Sequence, residues 1–152
     1  MKRLSLFVLI IFLIFSCNNS TVYSNYYSFE NDIWHADSSI VFNFNSNNAT
    51  SLKFDLSVSY NNEYPFQNFF TSYSLLDSNR NILNSKIIEF QFFEKKYGYP
   101  LGSGIFKNFV KDSLILEISP IQKNSEYIFL VKHSMREDKL KGINKLGLNI
   151  SN

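Results

Sequence analysis

The chain has 152 residues, 45% hydrophobic and 17% aromatic, with fifteen Lys and Arg against thirteen Asp and Glu. So even a balance speaks against a nucleic-acid binder, which needs a basic footprint. One cysteine excludes an intrachain disulfide, and two histidines, His35 and His133, do not make a metal-ligand cluster without carboxylates gathered around them.

The N-terminus opens with Met1-Lys2-Arg3 and runs through the apolar stretch Leu4 to Ser16. A membrane-spanning helix needs roughly 20 residues, whereas a signal-peptide core needs only about 7 to 15. The stretch ends in "IFSC", with the small Ser16 before Cys17, and resembles a bacterial lipoprotein signal. In that class the thiol is acylated, the chain is cut before the cysteine, and the cysteine becomes the first residue. Residues 1–16 are therefore expected as a cleaved signal peptide, with Cys17 lipidated and the membrane as its first partner. Two or more acyl chains hold a protein stably, at roughly 0.8 kcal/mol per buried methylene. Residues 17–28, beginning "CNNST", are expected as a solvated tether, and 29–152 as one domain. No aspartate follows Cys17, and by resemblance to known sorting rules this favours the outer membrane.

Without Lys2 and Arg3 the chain carries thirteen charges of each sign. They are unevenly placed. Residues 18–79 hold six acids and only Lys53, while 80–152 hold twelve bases and seven acids. Such asymmetry can steer a partner or a charged surface.

Period-two alternation dominates the domain. In "SLKFDLSVSY" Leu52, Phe54, Leu56, Val58 and Tyr60 share one face, and Lys53, Asp55, Ser57 and Ser59 the other. Ile40, Phe42 and Phe44 repeat the pattern. Further strands are predicted at 69–76, 82–93, 113–119, 126–134 and 143–150, separated by polar turns such as "NSNN" and "DSNRN". The expected fold is all-β, a single-domain antiparallel β-sandwich of about seven to eight strands. "MREDKL", 135–140, makes at most a turn or two of helix. Residues 94–112, with three of the five glycines, are expected as one long loop, a feature that is commonly functional.

Little in the chain signals catalysis. No nucleophile elbow is present, and the acidic residues are spread along strands as a solvated face would be. The expectation is a non-enzyme without a cofactor. "GYPLGSG" has glycine spacing for an anion cradle but no following helix to supply the dipole, and reads better as a turn. Two basic segments that interrupt the strand rhythm are candidate partner-binding surfaces: Lys95, Lys96, Gly98, Gly102 and Gly104 in the first, Arg136, Lys139 and Lys141 in the second. Arg136 is open to two uses, a structural salt bridge or a partner contact. "YPFQNFF" offers an alternative function. Tyr64, Phe66 and Asn68 would contact a carbohydrate or lipopolysaccharide if the rings are exposed, or enter the core if they are not.

The motifs in order resemble the GldH family of gliding-motility lipoproteins. The lipoprotein signal is followed by Trp34 with the alternating Phe42 and Phe44, and by Tyr64, Pro65, Phe66 and Asn68. Next come the glycine loop of Gly98, Leu101, Gly102 and Gly104, and finally Met135, Arg136, Leu140, Gly142, Ile143, Gly147 and Leu148. Asn61 and Asn62 stand where the family has an arginine, and Pro100 where it has a tryptophan inside the loop. The resemblance implies a non-enzymatic outer-membrane lipoprotein of the gliding machinery, linked to type IX protein secretion, that faces the periplasm and contacts other gliding-motility envelope lipoproteins.

Overall fold

The computed structural model describes residues 21–152. The signal segment 1–16 and Cys17 lie outside the described residues.

Among the described residues, eleven strands form three antiparallel sheets. They are β1 (Thr21–Ser28), β2 (Ile33–His35), β3 (Ile40–Asn45), β4 (Leu52–Asn61), β5 (Asn68–Asp77), β6 (Ile82–Gln91), β7 (Ser103–Ile105), β8 (Asn108–Ile118), β9 (Glu126–His133), β10 (Lys139–Lys141) and β11 (Ile143–Ser151). One sheet has the order β1-β11-β4-β8-β7, the second β3-β9-β5-β6, and the third pairs β10 with β2.

Seven of these strands fall where alternation predicts them. In β4, flanked by β11 and β8, the five apolar residues of the predicted face are all fully buried. The inner faces of the two larger sheets meet through aromatic rings. Phe54 of β4 stacks on Phe129 of β9 at 5.2 Å between centroids, and Phe44 of β3 meets Phe54 edge-on at 5.7 Å. The third sheet turns Trp34 and Leu140, both fully buried, toward the core. Trp34 stacks on Phe29, meets Phe69 and the edge of His133, and donates its indole N–H to the Ser38 carbonyl at 3.1 Å.

The other four strands lie outside the predicted positions and take the total above the seven to eight expected. Thr21–Ser28 was expected within the tether, yet it pairs with β11 as an edge strand. It is mostly exposed, so it lacks the one-sided apolar pattern that marks a half-buried strand. β2, β7 and β10 have three residues each, too few for a period to register. The turn or two of helix allowed over 135–140 does not form, and its last two residues enter β10, whose pairing with β2 buries Leu140 between exposed Lys139 and Lys141. The loop expected over 94–112 contains β7 and the first five residues of β8.

The two sheet edges on the side away from β1 and β3 are open. β7 covers only Asn108–Val110 of β8, and β6 has one neighbour, β5. Lys111 lies opposite the buried Val58, and Lys86 opposite the buried Tyr73, so each open edge carries a lysine on its core-facing side. An inward lysine at an edge opposes pairing with another strand, because pairing would bury its charge.

Candidate partner-binding end

Register sets which loops are neighbours. Tyr60 pairs with Ile143 and with Phe109, Asn68 with Gln91, and Thr71 with His133. Segments 61–67, 92–107 and 134–142 therefore emerge at one end of the fold, so both basic segments singled out from sequence lie there. Thr21 is at the opposite end, paired with Ser151, which pairs with Lys53.

The first segment is a hairpin held at its base. Phe93 bridges Pro100, the Glu94 N–H donates to the Tyr99 carbonyl at 2.8 Å, and the Leu101 N–H donates to the Phe92 carbonyl at 2.8 Å. Phe92 is fully buried and stacks on Tyr60 at 3.9 Å and 3° between rings. The Tyr60 hydroxyl donates to the Phe92 carbonyl at 2.7 Å and accepts from the Gly102 N–H at 3.0 Å. Burial raises the pKa of that phenol, partly offset by the backbone groups of Gly102 and Leu101. A Cβ at Gly102 would lie 2.7 Å from the Val110 carbonyl oxygen, so only glycine lets the chain pass between Tyr60 and β8. Gly98 turns the hairpin and Gly104 lies opposite Phe109 in the β7–β8 pair. The glycines thus shape the backbone, and Lys95 and Lys96 project from it exposed, with the Lys96 ammonium 4.7 Å from the Tyr97 ring.

The second segment is tied to β5. The Ser134 N–H donates to the Phe70 carbonyl at 2.8 Å, and the Phe70 N–H donates to the Met135 sulfur at 3.3 Å. Arg136 is exposed, and among the described residues no salt bridge includes it, so its structural reading is not met. Between the two segments lies 66–70. The Gln67 carbonyl accepts from the Phe92 and Phe93 N–H groups at 2.9 and 3.0 Å, and its side-chain amide reaches the Lys95 carbonyl at 3.4 Å. Phe66, Phe70, Ile87, Met135 and Arg136 are among the residues lining an open groove of about 540 Å³ beside it.

Tyr64 is not available to a sugar. It is buried between Phe66, Phe69 and Phe92, and its hydroxyl donates to the Asn68 carbonyl at 2.7 Å. Burial raises its pKa strongly. Gly142, at φ 80°, has no Cβ to collide with the Tyr64 backbone, which lets the turn close over the ring. Phe66 is half-buried, and Asn68 donates to Glu89 at 2.9 Å. The carbohydrate site read from these three residues is therefore corrected: its main stacking ring belongs to the core.

His133 is also buried, edge-on to Trp34, with neither ring nitrogen hydrogen-bonded among the described residues. Burial, and then the charge of Lys132, lower its pKa. His35 is exposed on β2. Among the described residues no three His, Cys, Asp or Glu side chains gather as a metal site, and no helix is long and apolar enough to cross a membrane.

Sequence reasoning missed the tip of the β7–β8 hairpin. Phe106 and Lys107 have φ of 51° and 71°, the turn that asparagine and glycine favour in a two-residue hairpin. Phe106 is 93% exposed, and Ile105, Tyr97 and Tyr99 stand exposed near it in the chain. The visible signal was "GSGIFKN", a two-residue connection lacking the usual Asn-Gly.

The GldH lipoprotein family matches residues 21–150. The chain belongs to this family. No curated relative matches it. Among solved structures, it is similar at a TM-score of 0.42 and 11% identity to the infectious bursal disease virus VP2 subviral particle, over 87% of this chain and 33% of that one. It is similar at 0.38 and 11% to dimeric latent PorU from Porphyromonas gingivalis, over 86% of this chain and 13% of that one. The chain thus spans a third or less of these proteins' length.

Proposed function

We propose that this GldH-family protein is a non-catalytic, lipid-anchored component of the gliding machinery linked to type IX secretion, and that it works by protein contacts made at its loop end. Its fold is read as a β-sandwich, supported by the stacking of Phe54 on Phe129 between the larger sheets. Its place is read as the outer membrane, facing the periplasm, with Cys17 acylated.

The observation that carries the reading is the separation of the two ends. Four residue-to-residue steps lead from Cys17 to Thr21 and reach about 14 Å at most. Strands β4 and β11, of 10 and 9 residues, run roughly 30 Å. An anchor at Cys17 therefore lies toward the Thr21 end, and Lys95, Lys96, Arg136, Lys139 and Lys141 are displayed away from it. A basic end with exposed rings at its tip suits an acidic protein surface that has an apolar pocket. The expected partners are other gliding-motility envelope lipoproteins.

The test is charge reversal combined with loss of the anchor. Lys95→Glu with Lys96→Glu is expected to weaken motility and partner recovery while leaving the melting temperature unchanged. Cys17→Ser is expected to leave the protein unprocessed or free of the membrane. Full motility and secretion in the lysine variant contradict the proposed surface, and normal processing with outer-membrane fractionation of Cys17→Ser contradicts the anchor.

A further inference from the structure

The outer face of the five-stranded sheet holds a second candidate site, unrelated to the loop end. Register lays its side chains out in rows across β1, β11, β4 and β8. Tyr26, Gly147, Ser57 and Asp112 form one row. Ser28, Lys145, Ser59 and Val110 form the next on one side, and Ser24, Asn149, Asp55 and Leu114 the next on the other. The middle of this face is low because its residues are small. Gly147 has no side chain, and a Cβ there would collide with the Ser57 hydroxyl. Two cavities of about 560 and 420 Å³ result, and they share Tyr26, Ser57 and Gly147. They make a trough that crosses the sheet.

The lining has three properties together. Tyr26 presents an aromatic ring that is 65% exposed, at the β1 wall, with the Lys145 ammonium over the ring at 4.9 Å from its centroid. The remaining lining residues are mostly hydroxyls and amides, including Ser59, Asn108 and Asn144. Charge does not select an ionic ligand, because Lys145 on this face is matched by Asp55 and Asp112.

We infer that this trough binds a neutral glycan chain. A sugar ring offers an apolar face of C–H groups to an exposed aromatic ring. Its hydroxyls both donate and accept, which suits a wall of serines and amides. A fixed charge on the ligand would face both signs on this sheet and gain little. The reading does not depend on the loop end, and its site is separate from the excluded one at Tyr64.

The probes are neutral cello-, malto-, xylo- and chito-oligosaccharides, with oligogalacturonate as the acidic arm. Binding to the full-length protein is measured by titration calorimetry in a detergent without a sugar headgroup. At least one neutral oligosaccharide is expected to bind. Tyr26→Ala is expected to weaken it roughly tenfold, and Tyr26→Phe to restore it because the ring is kept. Both variants are expected to melt as the parent does, since Tyr26 is an exposed side chain on an edge strand. No binding by any neutral oligomer, binding by the acidic arm alone, or binding unchanged in Tyr26→Ala overturns the inference.

Discussion

Residues 64–70 and 97–106 are both rich in aromatic and apolar side chains, and they meet opposite ends. In the first, Tyr64 and Phe69 are buried and Phe66 is half-buried, and of the four rings Phe70 alone is exposed. In the second, Tyr97, Tyr99, Leu101, Ile105 and Phe106 are all exposed. Composition does not separate them; fixed points in the backbone do. The first segment feeds directly into β5, and Gly142 lets the turn close on Tyr64. The second is held at its two bases, by Phe92 and Gly102 on Tyr60, and what lies between and beyond those bases projects past the strand ends. An aromatic residue next to a pinned strand becomes core, whereas one beyond the pin becomes surface.

The comparison breaks most visibly in stability. Tyr64→Ala is expected to cost about 3–5 kcal/mol, through lost burial and the cavity left among Phe66, Phe69 and Phe92. Phe106→Ala is expected to change stability by less than about 0.5 kcal/mol. Urea unfolding of the two variants checks this, and similar losses would remove the contrast. A smaller effect sharpens it. Phe106→Asn with Lys107→Gly places in the hairpin the residues its positive φ angles favour, and is expected to stabilise by a few tenths to about 1 kcal/mol. The same change is expected to weaken partner recovery. A tip that gains stability and loses function is one kept strained and apolar for contact, while unchanged recovery would make Phe106 ordinary surface.

Much of the fold was legible. The alternation of 52–60 located a central strand and the face it buries, since burial on one side imposes period two. The four missed strands had no such imprint: β1 is exposed on most of its length, and β2, β7 and β10 are shorter than the pattern that would reveal them. The candidate site was half legible. The two basic segments were visible as charge and broken rhythm, but only pairing such as Tyr60 with Ile143 and Phe109 puts them at one end. Tyr64 could not be assigned from its neighbours, because its burial depends on Gly142, far along the chain. The trough at Tyr26 was invisible for a related reason. Tyr26, Ser57 and Gly147 become neighbours only through strand register.

The central claim is that the protein is held at the Thr21 end and makes its contacts at the other. Photo-crosslinking in intact cells tests it most directly, with a photoreactive residue placed at Phe106 in one strain and at Asn79 in another. Asn79 lies in the β5–β6 turn at the Thr21 end, where the Asp77 carboxylate accepts its backbone N–H at 2.9 Å. The account predicts discrete protein adducts from position 106, lost when Lys95 and Lys96 are both changed to Glu, and none from position 79. Adducts from position 79 with none from 106 would contradict it.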